Sequence, residues 1–99
     1  MIIKLSAEAT GEMIEAAAWY DDREPGLGAE FFEACDRAFK LIAQDPQRHM
    51  HVGLGFHRYL MPRFPYAVFY EVRGDWLVIV SVFHGACDPA RWQRRLGMR

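Results

Sequence analysis

Apolar residues recur at every third or fourth position in two successive segments of the N-terminal half. The first stripe extends from Ala9 to Tyr20, and the second extends from Leu27 to Ile42. This spacing places apolar side chains on one side of an α-helix. A run of charged residues and a Pro-Gly pair separate the two stripes. The pattern therefore predicts two helices joined by a short loop, which is a helical hairpin.

The predicted ends of these helices carry typical signals. Ser6 is suited to be the N-cap of the first helix, because its hydroxyl can accept a hydrogen bond from a backbone N–H of the first turn. The second helix is predicted to stop near Ala43. Asp45 and Pro46 follow, and the residue before a proline disfavours helical geometry.

Segments of a different kind are predicted to be strands. Residues 57–60 form a plausible strand closed by Pro62. Residues 66–72 are rich in aromatic and β-branched residues, residues 76–83 are almost wholly apolar, and Gly74-Asp75 gives a tight turn between these two. Residues 2–5 read as a first strand. Residues 45–55 contain Pro46 and two glycines and are predicted to be a connection without a strand.

This order of elements predicts a single α+β domain over residues 1–99. Three consecutive strands with tight connections favour an antiparallel meander, and the first strand must join the same sheet. We therefore expect a small antiparallel sheet, made of strand 1 and the meander, covered by the N-terminal helical hairpin. A short C-terminal helix follows, with Asp88 as its N-cap and Pro89 at its first position.

Composition favours an ordinary folded protein, at 52% hydrophobic and 25% charged residues. No segment approaches the roughly 20 apolar residues that span a bilayer, and the N-terminal apolar run is too short for a signal peptide. A cytoplasmic location and no membrane partner are expected. Two cysteines do not form a disulfide framework. Cys35 is predicted to be a small core residue and Cys87 a turn residue.

The charge is unevenly distributed, although the net charge is only −1. Residues 1–55 carry 5 basic and 10 acidic residues, whereas residues 56–99 carry 7 arginines and 3 acidic residues. The asymmetry predicts an acidic face and a basic face, or simply a solvated surface. The low net charge argues against strong non-specific binding to nucleic acid.

His84, at the end of the last predicted strand, is the main candidate for chemistry. A histidine there can act as a general acid or base, and arginines can bind phosphate oxygens in a bidentate manner. With Tyr66 nearby, such a site could cleave RNA through its own 2′-hydroxyl. The structural alternative is that His84 hydrogen-bonds the following turn and that the arginines are solvated rim charges. The arginines concerned are Arg58, Arg63, Arg91, Arg94 and Arg95.

No cofactor or metal is expected. His49 and His51 form an H-x-H pair, with His57 six residues later, but no cysteine or carboxylate is close to them in the pattern that a zinc site requires. Gly53 and Gly55 lack the strand and helix context of a phosphate-binding loop.

In this arrangement the chain resembles the RelE/ParE superfamily of type II toxin–antitoxin toxins, in its plasmid-stabilisation branch. The resemblance covers nearly the whole chain, from about Ile3 to Arg95. The positions that carry it are Ala17 to Tyr20, Pro25 to Gly28, Phe31, Ile42, Asp45, Pro46, Arg58, Arg63 to Tyr66, Tyr70, His84, Asp88, Pro89, Trp92 and Arg95.

The resemblance implies the α+β fold derived above and an antitoxin that wraps the toxin as a helix or strand, with grooves between hairpin and sheet to receive it. It also implies one of two activities. ParE-like members block DNA gyrase by contact, whereas RelE-like members cut mRNA on the ribosome. Cys87 stands where members commonly have a basic residue, and the chain is not net basic. We therefore expect a ParE-like toxin that is neutralised by a cognate antitoxin and inhibits DNA gyrase by contact rather than cutting RNA.

Two alternatives stay open. One is a ribosome-dependent endoribonuclease, with His84, Arg63, Arg58 and Tyr66 as its catalytic residues. The other is an inactive relative that retains only antitoxin binding or self-association. In each case a homodimer or a hetero-oligomer with the antitoxin is possible. The residues expected to bind partners are Arg91, Arg94, Arg95 and Trp92.

Overall fold

The computed structural model describes residues 1–85 and 89–97. This part of the chain forms three helices and five strands. The helices are α1 (Ala7–Arg23), α2 (Leu27–Gln44) and α3 (Pro89–Arg95). The strands are β1 (Ile2–Leu5), β2 (Met50–Gly53), β3 (Phe56–Leu60), β4 (Tyr66–Arg73) and β5 (Trp76–His84).

The predicted helical hairpin is confirmed, and two short-range features define it. Ser6 is the N-cap of α1, and its side chain accepts a hydrogen bond from the backbone N–H of Ala9 at 3.0 Å. At the other end of α1, Asp21 Oδ1 accepts a hydrogen bond from the backbone N–H of Gly28 at 2.8 Å. A Cβ atom at Gly28 would lie 2.5 Å from the carbonyl oxygen of Ala17. The two helices therefore approach each other closely because Gly28 has no side chain.

The α+β class is also confirmed, and the sheet has the order β1-β5-β4-β3-β2. Strands β3, β4 and β5 form the predicted antiparallel meander. The expectation of a wholly antiparallel sheet was wrong, because β1 pairs with β5 in parallel, with Ile2 opposite Trp76 and Leu5 opposite Ile79. Parallel neighbours need a long crossover connection. The hairpin and the strands that follow it supply that connection, so the pairing follows from the chain path.

A further strand, β2, lies within the segment that was predicted to be a connection. It pairs antiparallel with β3, and His51 is opposite His57. Gly53 at the end of β2 and the next two residues, Leu54 and Gly55, all have positive φ. Glycine adopts this conformation readily. The glycines therefore mark a tight β-hairpin turn. The prediction missed it because the short segment before the turn carries little β-branched or aromatic character.

The core lies between the helical hairpin and one face of the sheet. Alternate residues of β4, from Tyr66 to Tyr70, face the helices. The fully buried side chains of this layer include Phe31, Cys35, Ile42, Val68, Tyr70, Leu77 and Ile79. Burial raises the pKa of the Cys35 thiol to about 12. Cys35 is therefore a core residue, as predicted.

Strand β5 contains a β-bulge. Phe69 pairs with Ser81 and the next residue, Tyr70, pairs with Ile79, so Val80 has no opposite residue on β4. A bulge adds one residue to a strand and increases its local twist. It divides β5 into a first half beside β1 and a second half that extends beyond the end of β1.

Helix α3 covers part of the other face of the sheet. Trp92 stacks on Phe69, with ring centroids 4.9 Å apart, and Arg95 Nη2 donates a hydrogen bond to the carbonyl oxygen of Val80 at 2.7 Å. The predicted short C-terminal helix is thus present. The proposed N-cap residue Asp88 and the turn residue Cys87 lie outside the described residues.

We expect Gly28→Ala to destabilise the protein, because its new methyl group must displace the backbone of Ala17. Overpacking of this kind costs about 1–3 kcal/mol. Gly11→Ala is the matched control, since a Cβ atom there meets nothing within 4 Å. It should stabilise the helix by about 0.5–1 kcal/mol. Urea unfolding measures the change in the free energy of unfolding for each variant. Equal changes for the two variants would contradict the close approach of α1 and α2 at Gly28.

Candidate functional site

A groove lies at the end of the sheet where β4 begins and β5 ends. Its volume is about 510 Å³. One wall is the side of α1 that carries Glu12, Glu15 and Trp19, and the other is formed by the β4 and β5 ends that pair Tyr66 with His84. Arg91 of α3 also lines it. Helix, sheet edge and C-terminal helix therefore meet in one concave surface.

The groove exists because β1 is shorter than β5. The chain leaves the sheet at Ser6, whose backbone N–H donates to the carbonyl of Ile79 at 3.0 Å, and then enters α1. Strand β1 therefore pairs only with residues from Trp76 to Ile79. Beyond Ile79, the outer edge of β5 has no neighbouring strand in the described part of the chain. Such an edge presents backbone N–H and C=O groups that need partners.

Polar side chains supply partners along this edge. The carboxylate of Glu12 accepts hydrogen bonds from the Val82 backbone N–H at 3.1 Å and from the Ser81 hydroxyl at 2.8 Å. The carbonyl oxygen of Val80 accepts bonds from the Ser6 hydroxyl at 3.0 Å and from Arg95 at 2.7 Å. A carboxylate thus occupies the position that a carbonyl of an adjacent strand would take.

The electrostatic environment of Glu12 is unfavourable for its charge. Burial raises the pKa of the Glu12 carboxyl and is the largest influence, and the neighbouring charge of Glu8 raises it further. The hydrogen bonds from Val82 and Ser81 and the charge of Arg95 lower it, but they do not compensate fully. Its hydrogen bonds therefore hold Glu12 on the outer edge of β5, although burial makes the ionised form of its carboxyl less favourable than in water.

The floor of the groove is aromatic. Tyr66 packs against Phe31, with ring centroids 5.0 Å apart, and against Tyr20 at 6.2 Å. Burial is the main reason that the pKa of the Tyr66 hydroxyl is raised. His84 lies on the exposed side of Tyr66, with its ring centroid 5.3 Å away. Trp19 is 50% exposed at the rim.

The structure brings together only part of the predicted catalytic set. Tyr66 and His84 are adjacent in the groove, whereas Arg63 turns toward α2 and forms an ion pair with Glu30 at 2.8 Å. Arg58 lies opposite Phe69 in the β3–β4 pairing and therefore points to the face that α3 covers. Its Nη2 contacts the sulfur of Met50 at 3.3 Å. The sheet separates Arg58 from Tyr66.

The residues expected to bind partners also divide into two kinds. Arg91 lines the groove and Arg94 is exposed. Trp92 is packed on Phe69, and Arg95 is bonded to Val80 and lies 3.6 Å from Glu8. Trp92 and Arg95 thus have structural contacts that fix α3. Binding roles for all four residues stay predictions.

Comparison with known proteins identifies the family. The family model described as the ParE toxin of type II toxin–antitoxin systems, parDE, matches residues 3–89. The chain belongs to the ParE toxin family. The predicted RelE/ParE relationship and the ParE-like toxin function are therefore confirmed. No curated protein matches the sequence.

The fold agrees with this membership. A solved structure described as the chromosomal ParDE TA system from P. aeruginosa is similar to this ParE protein with a TM-score of 0.76. The similarity covers 85% of this chain and 95% of that chain at 15% sequence identity. At this identity the likeness concerns the fold alone. It shows that the hairpin-on-sheet arrangement also occurs in a ParDE system.

Sequence reasoning missed three groove residues of this ParE protein. Glu12 was not singled out, and Trp19 was noted only as part of a family segment. Ser81 was absorbed into the apolar run of β5, although it is fully buried. A buried hydroxyl requires a hydrogen-bond partner. The single polar residue in the apolar run from Trp76 to Phe83 was therefore the signal that a polar group lies against it.

His49, His51 and His57 lie in or next to the β2–β3 hairpin. The rings of His51 and His57 are 5.1 Å apart, and His57 stacks on Tyr70. Burial is the main reason that the pKa of His57 is lowered. The buried Nδ1 atom of His57 has no hydrogen-bond partner. Within residues 1–85 and 89–97 no group of three or more histidine, cysteine or carboxylate side chains is arranged to hold a metal ion.

Among the helices of the described ranges, none is both long and apolar enough to cross a membrane.

We expect Glu12→Gln to remove a contribution to stability that decreases as pH rises. Because the pKa of Glu12 is raised in the folded state, the folded protein binds this proton more tightly than the unfolded chain does. The resulting stabilisation is present at acidic pH and is lost as pH rises through the folded pKa. Urea unfolding measures the free energy of unfolding of both proteins. The value for the variant, relative to that for the original protein, should be higher at pH 7 than at pH 3.

Glu33→Gln is the control for this experiment, since Glu33 is exposed on α2. If Glu12→Gln changes the free energy of unfolding by the same amount at both pH values, the environment of the carboxylate is not unfavourable for its charge.

Proposed function

We propose that this ParE-family toxin acts in the cytoplasm by contact with DNA gyrase and is neutralised by a cognate antitoxin. The observation that carries the proposal is the separation of the four candidate nuclease residues. General acid–base cleavage needs its groups around one scissile phosphate. Arg58 lies on the opposite face of the sheet from His84, and Arg63 is engaged by Glu30.

The state of Tyr66 supports the same proposal. A general acid or base works best with a pKa near the operating pH, whereas burial moves the pKa of Tyr66 upward from an already high value. Its ring is packed against Tyr20 and Phe31 at the core margin. A toxin that acts by contact requires no proton transfer, and this packing is compatible with such a surface.

A trough between α2 and β3 is the proposed antitoxin site. Two cavities of about 220 and 400 Å³ adjoin there and share Leu41 and Tyr59. The smaller cavity is lined mainly by apolar surface, and Arg37, Arg48 and Arg63 are among the residues that line the trough. Asp45 is the one carboxylate among the described lining residues. These features suit an acidic amphipathic segment, because apolar contacts and opposite charges combine.

Purified toxin should inhibit supercoiling by gyrase and leave mRNA intact, while induced expression without antitoxin should arrest growth. Intact supercoiling together with ribosome-dependent cleavage of mRNA would instead support the endoribonuclease alternative. Normal growth with both targets unaffected would support the inactive relative.

Two substitutions on opposite faces of the sheet sharpen this test. A nuclease centre would need both groups, so Arg58→Ala and His84→Ala would each abolish toxicity. One continuous contact surface contains at most one of them, so we expect at least one variant to remain toxic. Growth after induction measures this result, with circular dichroism to verify folding. Loss of toxicity in both folded variants would contradict action through a single contact face.

Leu41→Glu should weaken antitoxin binding by at least about tenfold, because it places a carboxylate on the apolar lining against an acidic segment. Ile14→Glu is the matched control, since Ile14 is similarly exposed on α1 and lies outside the trough. Calorimetric titration with the cognate antitoxin measures both affinities. Equal affinities for the two variants would place the antitoxin elsewhere.

A further inference from the structure

We propose that His57 makes the β2–β3 hairpin sensitive to protons, so that β2 separates from β3 when this buried histidine is protonated. The hairpin lies at the edge of the sheet opposite β1, because the strand order ends in β2. It contributes no residue to the groove beside α1. The opening of β2 does not depend on which target the toxin contacts.

The imidazole of His57 is enclosed between two neighbouring strands. Its ring stacks on Tyr70 of β4, with centroids 5.2 Å apart and planes inclined by 14°. On the other side it meets the ring of His51 of β2, with centroids 5.1 Å apart. Only 7% of His57 is exposed. The three residues are paired across β2, β3 and β4 and therefore share one face of the sheet.

A positive charge in this position lacks the partners that it needs. Both ring nitrogens of a protonated imidazole are donors, but the buried Nδ1 atom of His57 has no hydrogen-bond partner in the described part of the chain. Burial lowers the pKa of His57 most, and the charges of His51 and His49 lower it further. These influences include no carboxylate. Arg58, the next residue of β3, points to the opposite face.

Strand β2 is weakly attached to the rest of the sheet. It is 4 residues long, and its pairing with β3 is irregular between His51 and Gly53. Its first two residues are exposed. Exposed segments with few buried contacts open locally at low free energy. Separation of β2 removes His51 from His57 and admits water to the ring, so the open form binds the proton more tightly than the closed form does.

The opening has a boundary on the α2 side. The Tyr70 hydroxyl donates a hydrogen bond to the Pro46 carbonyl at 2.6 Å, which attaches the start of the connection between α2 and β2. Burial raises the pKa of Tyr70 to about 12, and the charge of Asp45 contributes. Tyr70 therefore keeps its proton at acidic pH and continues to hold Pro46. Separation begins after Pro46 and ends at β3, which remains paired with β4.

The segment that opens contributes to the trough between α2 and β3. Arg48 and His49 line its larger cavity, and both lie between Pro46 and β2. Release of β2 alters this wall of the trough and should weaken antitoxin binding at acidic pH. This consequence rests on the proposed function, whereas the opening itself does not.

Hydrogen exchange of the whole protein, measured by ¹⁵N NMR without antitoxin, tests the opening. Because folding favours the neutral form of His57, the β2–β3 pairing has its full stability above the unfolded pKa of about 6.5 and loses stability as pH falls below that value. Between pH 7.5 and pH 5.0, we expect protection factors of the β2–β3 amides to fall by at least about threefold. Amides of Leu77 and Ile79, in the interior of the sheet, are the internal control and should not show this loss.

Two variants assign the effect to His57. His57→Phe keeps an aromatic ring against Tyr70 but cannot bind a proton, so the loss of protection at pH 5.0 should disappear. His51→Gln changes an exposed residue and should reduce the loss, because it removes one positive neighbour. The proposal would be overturned by a loss that persists in His57→Phe, by an unreduced loss in His51→Gln, or by an equal loss at Leu77 and Ile79.

A titration of the His57 ring signals gives an independent measurement. We expect a pKa below about 6.5. A pKa above this value would overturn the proposal, because it would show that stacking on the Tyr70 ring favours the cation.

Calorimetric titration with the cognate antitoxin at pH 7.5 and pH 5.0 tests the consequence for the trough. We expect the affinity of the original protein to fall by at least about threefold more than that of His57→Phe. Equal pH dependence of the two affinities, with opening demonstrated by hydrogen exchange, would contradict the trough as the antitoxin site. Unchanged hydrogen exchange would instead contradict the proton-sensitive hairpin, so the two failures are distinguishable.

Discussion

The Ser6 hydroxyl connects the two layers of this protein. It accepts a hydrogen bond from the backbone N–H of Ala9 in the first turn of α1. It also donates a hydrogen bond to the backbone carbonyl of Val80 in β5. One side chain thereby fixes where β1 stops and where α1 starts. The position of Glu12 against the uncovered edge of β5 depends on this point. A longer β1 would cover the edge of β5, and a later start of α1 would move Glu12 away from Val82.

The sheet acts as a partition between two chemically different surfaces. The face toward the helical hairpin carries the aromatic core and ends in Tyr66 and His84, whereas the opposite face carries Arg58 beneath the region of α3. Strand residues alternate between faces, so residues that are near in sequence need not cooperate. This alternation is the physical reason that a plausible set of catalytic residue types does not assemble into one centre.

Local patterns were sufficient for much of the fold and for little of the site. The helical stripes, the Ser6 cap and the β3–β5 meander follow from periodicity and turn residues, which are short-range properties. The parallel pairing of β1 is a property of the whole chain path, and β2 depends on a turn that only its glycines indicated. The groove was least predictable, because Glu12 and Ser81 are 69 residues apart in sequence. Nothing local distinguishes Glu12 from other carboxylates of α1.

The bulge at Val80 has a consequence for how this sequence can change. Tyr70 pairs with Ile79 and Phe69 with Ser81, so the residues on both sides of Val80 keep regular pairing with β4. Removal of Val80 would therefore leave Ser81 and Val82 on their present faces, whereas removal of any other residue between Trp76 and His84 would have to be absorbed at the bulge. What the extra residue adds is a backbone carbonyl that is not used for pairing with β4 and that accepts hydrogen bonds from Ser6 and Arg95. The bulge thus gives β5 a point at which α1 and α3 are both attached to the sheet.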